Sequence, residues 1–130
     1  MLGLINKAGY AFLATVDGNR AQVRGMETYR ADNKGILMYT GKMKDVFKQI
    51  TVNPNVELCY YVDGVQLRIT GCLEIVDDLD LKKELVEARP FLAPMIKSGY
   101  DPLVLLRLAK GKATRWSMDT IAEPKTYIDF

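Results

Sequence analysis

The sequence predicts a mainly β domain with some α: about seven antiparallel strands in a small barrel, joined by two or three helices. Three observations carry this. Short apolar runs are separated by tight-turn residues along most of the 130-residue chain. One hairpin, within residues 56–76, has its register fixed by two independent signals. Two stretches, 43–52 and 79–89, repeat their apolar residues at helical spacing. The length is that of one domain, residues 1–130, able to bury roughly two thirds of its unfolded surface.

In chain order, residues 10–16 form the first strand and Asp17-Gly18-Asn19 its turn. Residues 20–31 form the second. Asp32-Asn33-Lys34-Gly35 turns into a third, Ile36 to Thr40. Residues 43–52 put Val46, Phe47 and Ile50 on one helical stripe, stopped by Asn53-Pro54. Asp63-Gly64 is a hairpin turn signal. With those two residues as the loop, Val62 faces Val65, Tyr60 faces Leu67, Leu58 faces Ile69 and Val56 faces Gly71. The other face pairs Tyr61 with Gln66, Cys59 with Arg68 and Glu57 with Thr70. Alternation and turn select the same register. The second strand of this pair is expected to run on to Val76. Residues 79–89 put Leu81, Leu85 and Ala88 on one face, with Asp77 and Asp78 as cap and Pro90 as stop. Phe91 to Ile96 adds a short helical turn broken by Pro94. Leu103 to Ala109 and Lys112 to Met118 flank Lys110-Gly111 and read as another hairpin, pairing Leu105 with Trp116 and Leu103 with Met118.

Composition removes whole classes of chemistry. The chain has no histidine, which excludes Ser-His-Asp and Cys-His catalysis and histidine-ligated zinc or haem. Cys59 and Cys72 are too few for an all-cysteine zinc site. Cys59 opposes Arg68, so Cys72 lies four residues further along the same face. At about 3.3 Å per residue that is beyond disulfide reach, and two free thiols suit a reducing compartment. Eighteen Lys and Arg against sixteen Asp and Glu leave a charge of +2, which implies neither a nucleic-acid nor a membrane partner. No apolar stretch approaches the roughly 20 residues of a membrane span, and the run Ala11 to Val16 is too short for a signal peptide. A cytoplasmic protein is the expectation.

One place breaks a local rule. Thr40-Gly41-Lys42-Met43-Lys44-Asp45 runs from a strand end into a helix start, and it puts Lys42 and Lys44 where the helix dipole is already positive. A phosphate between them would resolve the conflict; two solvated lysines on a surface turn are the alternative. Arg24 lies in the second strand, as an exposed arginine or a ligand group. Gly25 beside it marks either the close approach of another group, such as a flat ligand, or a bulge. Gln66 and Arg68 share a polar strand face that lines a cleft or meets solvent. Trp116 is a ligand-stacking ring or a core residue opposite Leu105.

These features together resemble the pyridoxamine 5'-phosphate oxidase-like family of flavin-binding split barrels. The matching residues are Tyr10-Ala11-Phe12-Leu13-Ala14-Thr15-Val16-Asp17-Gly18, Val23-Arg24-Gly25-Met26, Gly35 to Thr40, Gly41 to Ile50, Asn53-Pro54-Asn55-Val56-Glu57 and Gln66-Leu67-Arg68-Ile69-Thr70-Gly71. The resemblance implies a split β-barrel, a six- or seven-stranded antiparallel Greek-key barrel, dimeric, with one FMN in each of two clefts between subunits. It places Arg24 and Lys44 on the FMN phosphate with Lys42 beside them. It runs the backbone of Gly25, Met26 and Glu27 along the flavin ring and sets Thr40 and Gly41 beneath the ribityl chain. Gln66 matches a flavin-contacting position, and Trp116 would cover the flavin from the other subunit. The Arg-x-His segment of the vitamin B6 oxidases is missing, Tyr29 stands where a lysine near the substrate is expected, and the histidine of many nitroimidazole-resistance reductases is absent. The resemblance therefore does not extend to pyridoxamine phosphate oxidation.

What it implies is an FMN-dependent oxidoreductase acting on an unidentified small molecule, with NADH or NADPH as a candidate electron donor. A reduced deazaflavin would present a phosphate to the same basic pocket. A non-catalytic flavin-binding or sensing module is the alternative, because no side chain stands out as a general acid or base; Glu27 and Tyr29 are the nearest titratable groups.

Overall fold

The computed structural model describes residues 1–130. Helix α1 (Leu2–Ala8) leads into β1 (Tyr10–Asp17), β2 (Arg20–Asp32) and β3 (Gly35–Gly41). Helix α2 (Asp45–Val52) follows, then β4 (Asn55–Val62), β5 (Val65–Cys72) and the short β6 (Glu74–Val76). Helix α3 (Leu79–Ala88) runs into a 3-10 segment, Pro90–Ile96. The chain closes with β7 (Leu103–Leu108), β8 (Gly111–Trp116), a 3-10 turn Met118–Thr120 and β9 (Ile128–Asp129). Every strand pairing is antiparallel, in the order β6-β7-β3-β2-β1-β4-β5-β8-β9. The sheet curls around one core of 19 buried residues drawn from both its halves, including Leu13, Met38, Tyr60, Ile69 and Leu106. This is a split barrel with nine strands rather than six or seven; β6 and β9, of three and two residues, make up the excess.

The first three strands and their turns form where the sequence places them. The hairpin β4–β5 has the expected register, from Val62↔Val65 to Val56↔Gly71, with Cys59 opposite Arg68. Both cysteines are free, and Cys72 stands opposite Asn55.

Four expectations need correction. Leu103–Leu108 and Gly111–Trp116 are not a hairpin. Strand β7 lies between β3 and β6, whereas β8 lies between β5 and β9. The reason is visible in the residues. Leu103, Val104, Leu105, Leu106 and Leu108 are all buried, so β7 needs cover on both faces. Its inward side chains join the main core, while Leu103 and Leu105 pack under α3 with Leu37, Leu85 and Leu92. Trp116 consequently faces Gln66 instead of Leu105, and Met118 is exposed. Second, β5 does not run on to Val76. Leu73 turns the chain inward, and β6 crosses to pair with β7. Third, the buried face of α3 is Leu85 flanked by Leu81 and Val86, with Ala88 exposed. Fourth, α2 begins at Asp45. Lys44 is its N-cap and Lys42 lies outside it, so the acidic Asp45, not a lysine, occupies the first turn.

Helix α1 has no counterpart in the sequence reading. One fully buried residue, Ile5, anchors it. Asn6 reinforces the contact by pairing its amide with the backbone of Ala31, at 2.9 and 3.0 Å.

Candidate functional site

The cleft lies where the sheet divides. Residues 20–27 of β2 pair with β1 alone, and the ladder between β2 and β3 begins only at Thr28↔Met38, beside a bulge at Tyr29. Beyond that point Tyr39, Thr40 and Gly41 pair with β7 alone. The two edges therefore splay, leaving backbone N–H and C=O groups facing a gap rather than a strand. The head of α2 and the 3-10 segment wall the gap, giving a cleft of about 790 Å³.

Seven of the ten sequence-assigned residues line this one cleft: Arg24, Gly25, Met26, Glu27, Thr40, Gly41 and Lys44. Lys42 does not. Its ammonium pairs with Asp101 at 2.8 Å on another surface, and that contact holds the Asp101 carboxyl below the usual range. Gln66 and Trp116 are also elsewhere. With Arg68 and Thr114 they line a second groove of about 570 Å³, under the segment 117–126. Tyr29 sits outside both, donating to Glu84 at 2.8 Å with Arg30 and Arg89 against its ring.

One end of the cleft is cationic. Arg24 Nη1 donates to Thr15 Oγ1 at 2.7 Å and to the Leu13 carbonyl at 3.3 Å; Nη2 donates to Gln49 Oε1 at 2.6 Å. Thr15, itself buried, donates to the same Gln49 oxygen at 2.5 Å. These partners are neutral, so the guanidinium is oriented without being neutralised. Burial pushes its pKa below the ordinary value, and nearby Asp45 opposes that. Lys44, the N-cap of α2, lines the same cleft, and no side chain caps the first N–H groups of that helix. An anion would satisfy all three features.

The other end is aromatic and apolar around one carboxylate. Glu27 accepts from Arg89 Nε at 2.6 Å and from the Tyr39 hydroxyl. Burial, then the bond to Glu27, pushes the Tyr39 phenol well above its usual range. The hydrogen bond to Glu27 likewise raises Arg89. Phe91, Leu92 and Met95 complete this end. Gly25 has close company, as its place in a strand suggested. A Cβ there would lie 2.5 Å from the Tyr10 ring, which packs across it from β1.

Gln49, Arg89, Phe91 and Tyr10 were not read from the sequence as site residues. Gln49 had a signal, since it follows Asp45 by four positions and so shares a face at the head of α2. Arg89 had none; 62 residues separate it from Glu27.

Comparison with known proteins gives the fold's relatives. The sequence model of the family described as pyridoxamine 5'-phosphate oxidase matches residues 1–109. A search of curated proteins finds no match. Among solved structures, a NimC/NimA family protein from Clostridium acetobutylicum superposes with a TM-score of 0.82 at 25% identity, covering 99% of this chain and 90% of that one. General Stress Protein 26 from Bacillus anthracis gives 0.74 at 18% identity, covering 98% and 94%. A pyridoxamine 5'-phosphate oxidase-related, FMN binding protein from Nostoc punctiforme gives 0.61 at 18% identity, covering 95% and 88%.

Proposed function

The chain belongs to the pyridoxamine 5'-phosphate oxidase family, and on that premise we propose that it is an FMN-binding, homodimeric, cytoplasmic protein that acts as a flavin-dependent oxidoreductase on a small molecule. The observation that carries this is the convergence of Arg24, Lys44 and the uncapped start of α2 at one end of the split between β2 and β3. A phosphate there takes charge-assisted hydrogen bonds from Arg24, Lys44 and the uncapped N–H groups of α2. The splayed edges fit the rest of the cofactor. Gly25, Met26 and Glu27 offer backbone groups to a heterocycle, and Thr40 and Gly41 offer them to a polar chain. When bound, flavin supplies the hydride chemistry, and the protein supplies position and electrostatics.

The chain's own residues divide the work. Gln49 and Thr15 orient Arg24, and Lys44 adds a second charge. Glu27 ties β2 to β3 through Tyr39 and to the end of α3 through Arg89, which fixes the wall that carries Phe91. No helix is long and apolar enough to cross a membrane.

The visible absorbance of the protein as purified tests the cofactor, and a deazaflavin would show there by its own spectrum. A folded, colourless protein that takes up no FMN on addition would overturn the reading. A non-catalytic flavin-binding module is the second reading, favoured by one observation: the Glu27 carboxylate accepts from both Arg89 and Tyr39, so the titratable side chains nearest the cleft serve as a tie between β2, β3 and the end of α3. Oxidation of NADH or NADPH by the flavin-loaded protein separates the two.

A further inference from the structure

The cleft does not close at its cationic end. It runs on into a groove of about 360 Å³ between the β1–β2 turn and α2, and the two share Gln22, Asp45 and Gln49. Gln49 holds Arg24 and Asp45 follows Lys44, so the junction lies at the cationic end. Asp17 and Lys48 line the groove and not the cleft. With Asp45 at the junction, the groove has two carboxylates against one ammonium, and none of the three is in an ion pair. Arg20 stands opposite Asp17 in the β1–β2 ladder but does not line the groove. A terminal phosphate monoester held by Arg24 and Lys44 leaves this groove unused. A phosphate esterified on both sides has a second substituent to place, and the groove continues the cleft past the phosphate. A second phosphate, or a tail of carboxylates on a deazaflavin, would enter net negative surroundings there.

We propose that Asp17 and Asp45 are specificity-determining residues: they make the phosphate end selective for a cofactor that ends in a phosphate monoester and disfavour one extended by a second anionic group, with Lys48 opposing them. The proposal rests on reading Arg24 and Lys44 as the phosphate end. It favours FMN over a dinucleotide or an acid-tailed deazaflavin through charges that the cofactor's ring never touches.

Asp17 and Lys48 supply the test, because Asp45 also acts on the charge of Arg24, whereas these two lie outside the cleft. The whole chain, stripped of flavin, is titrated calorimetrically with FMN and with FAD at low salt. FMN is expected to bind at least about tenfold more tightly. Asp17→Lys should strengthen FAD binding about fivefold, and Lys48→Glu should weaken it about fivefold. Each should change FMN binding by less than about twofold, because screening confines an exposed charge to its own groove. Both side chains are exposed, so an unchanged FMN affinity also reports that each variant is folded. FAD that binds the parent protein as tightly as FMN overturns the proposal. So does an FMN-to-FAD ratio that neither reversal moves, since the preference would then come from bulk and not from charge. A parent protein that binds neither flavin overturns the phosphate-end reading, and this proposal with it. The FMN titration alone therefore separates failure of that reading from failure of the proposal.

Discussion

Arg24 illustrates how a single side chain becomes a binding group. Alone on a strand it would be an ordinary exposed arginine; here Thr15, Gln49 and the Leu13 carbonyl hold its guanidinium at the cleft. Each charge-assisted hydrogen bond to a phosphate is worth roughly 1.5–3 kcal/mol. Lys44→Ala and Arg24→Ala are therefore expected to weaken FMN binding by about one to two decades each, read by fluorescence titration. Lys42→Ala should change it little, because Lys42 is committed to Asp101. Gln49→Leu removes the acceptor shared by Arg24 and Thr15 and should cost about one decade. Riboflavin, lacking the phosphate, should lose little in any of the four variants, which distinguishes a phosphate contact from a folding defect. Local patterns, lysines before a helix and an arginine beside a strand glycine, only raised Arg24 and Lys44 as candidates beside a solvated-surface alternative; the family resemblance joined them, and Lys42 lies outside the cleft. Gln49 and Arg89 act through partners 25 and 62 residues away; helical spacing from Asp45 hints at the first, and no local pattern reports the second.

Elements show a similar limit. The register of β4 against β5 was legible to the residue because turn chemistry and alternation agree at Asp63-Gly64, whereas the end of β5 was not. The apparent hairpin at Lys110-Gly111 misleads because a turn signal says that the chain bends, not which strand it joins. In the fold this segment carries the chain from β7 in one half of the sheet to β8 in the other, and glycines let it pass. A Cβ on Gly71 would lie 2.6 Å from the Lys110 carbonyl oxygen, and one on Gly35 2.3 Å from that of Leu108. Both obstacles are backbone and cannot rotate away. Gly71→Ala should destabilise the fold by about 1–3 kcal/mol in urea unfolding. Gly3→Ala is the control. It lies in α1 with nothing within 4 Å, so it should be neutral or stabilising by up to about 1 kcal/mol. Equal effects of the two substitutions would show that the crossing does not constrain Gly71.

At the scale of the whole molecule, stability and assembly are both testable. Tyr60 is fully buried in the core and hydrogen-bonds Thr28 at 2.6 Å. Burial pushes its phenol from 10.0 up to about 12, and the bond to Thr28 only partly opposes this. Between those values the unfolded chain binds fewer protons than the folded one. The Tyr60 contribution to stability is therefore fully present below pH 10 and should be lost as pH rises toward 12, with Tyr60→Phe lessening that fall in urea unfolding. The proposed assembly would use the outer face of β2, β1, β4, β5 and β8. Phe12, Val23 and Tyr61 stand there 58%, 67% and 62% exposed around the Glu57–Arg68 pair. At one edge of this face, on β2, is the cleft with Arg24; at the other, on β8, is the groove with Gln66 and Trp116. One chain cannot bring the two edges together, but the proposed two-fold pairing through the face would set the cleft of each copy against the groove of its partner. The expected state by light scattering is a dimer. Phe12→Glu, which places a charge in the centre of the face, should give a folded monomer. That monomer should also bind FMN at least about tenfold more weakly, since it retains Arg24 and Lys44 but loses the partner's groove. A monomeric Phe12→Glu protein with parental FMN affinity would show that a single chain completes its own site and that Gln66 and Trp116 have no part in it.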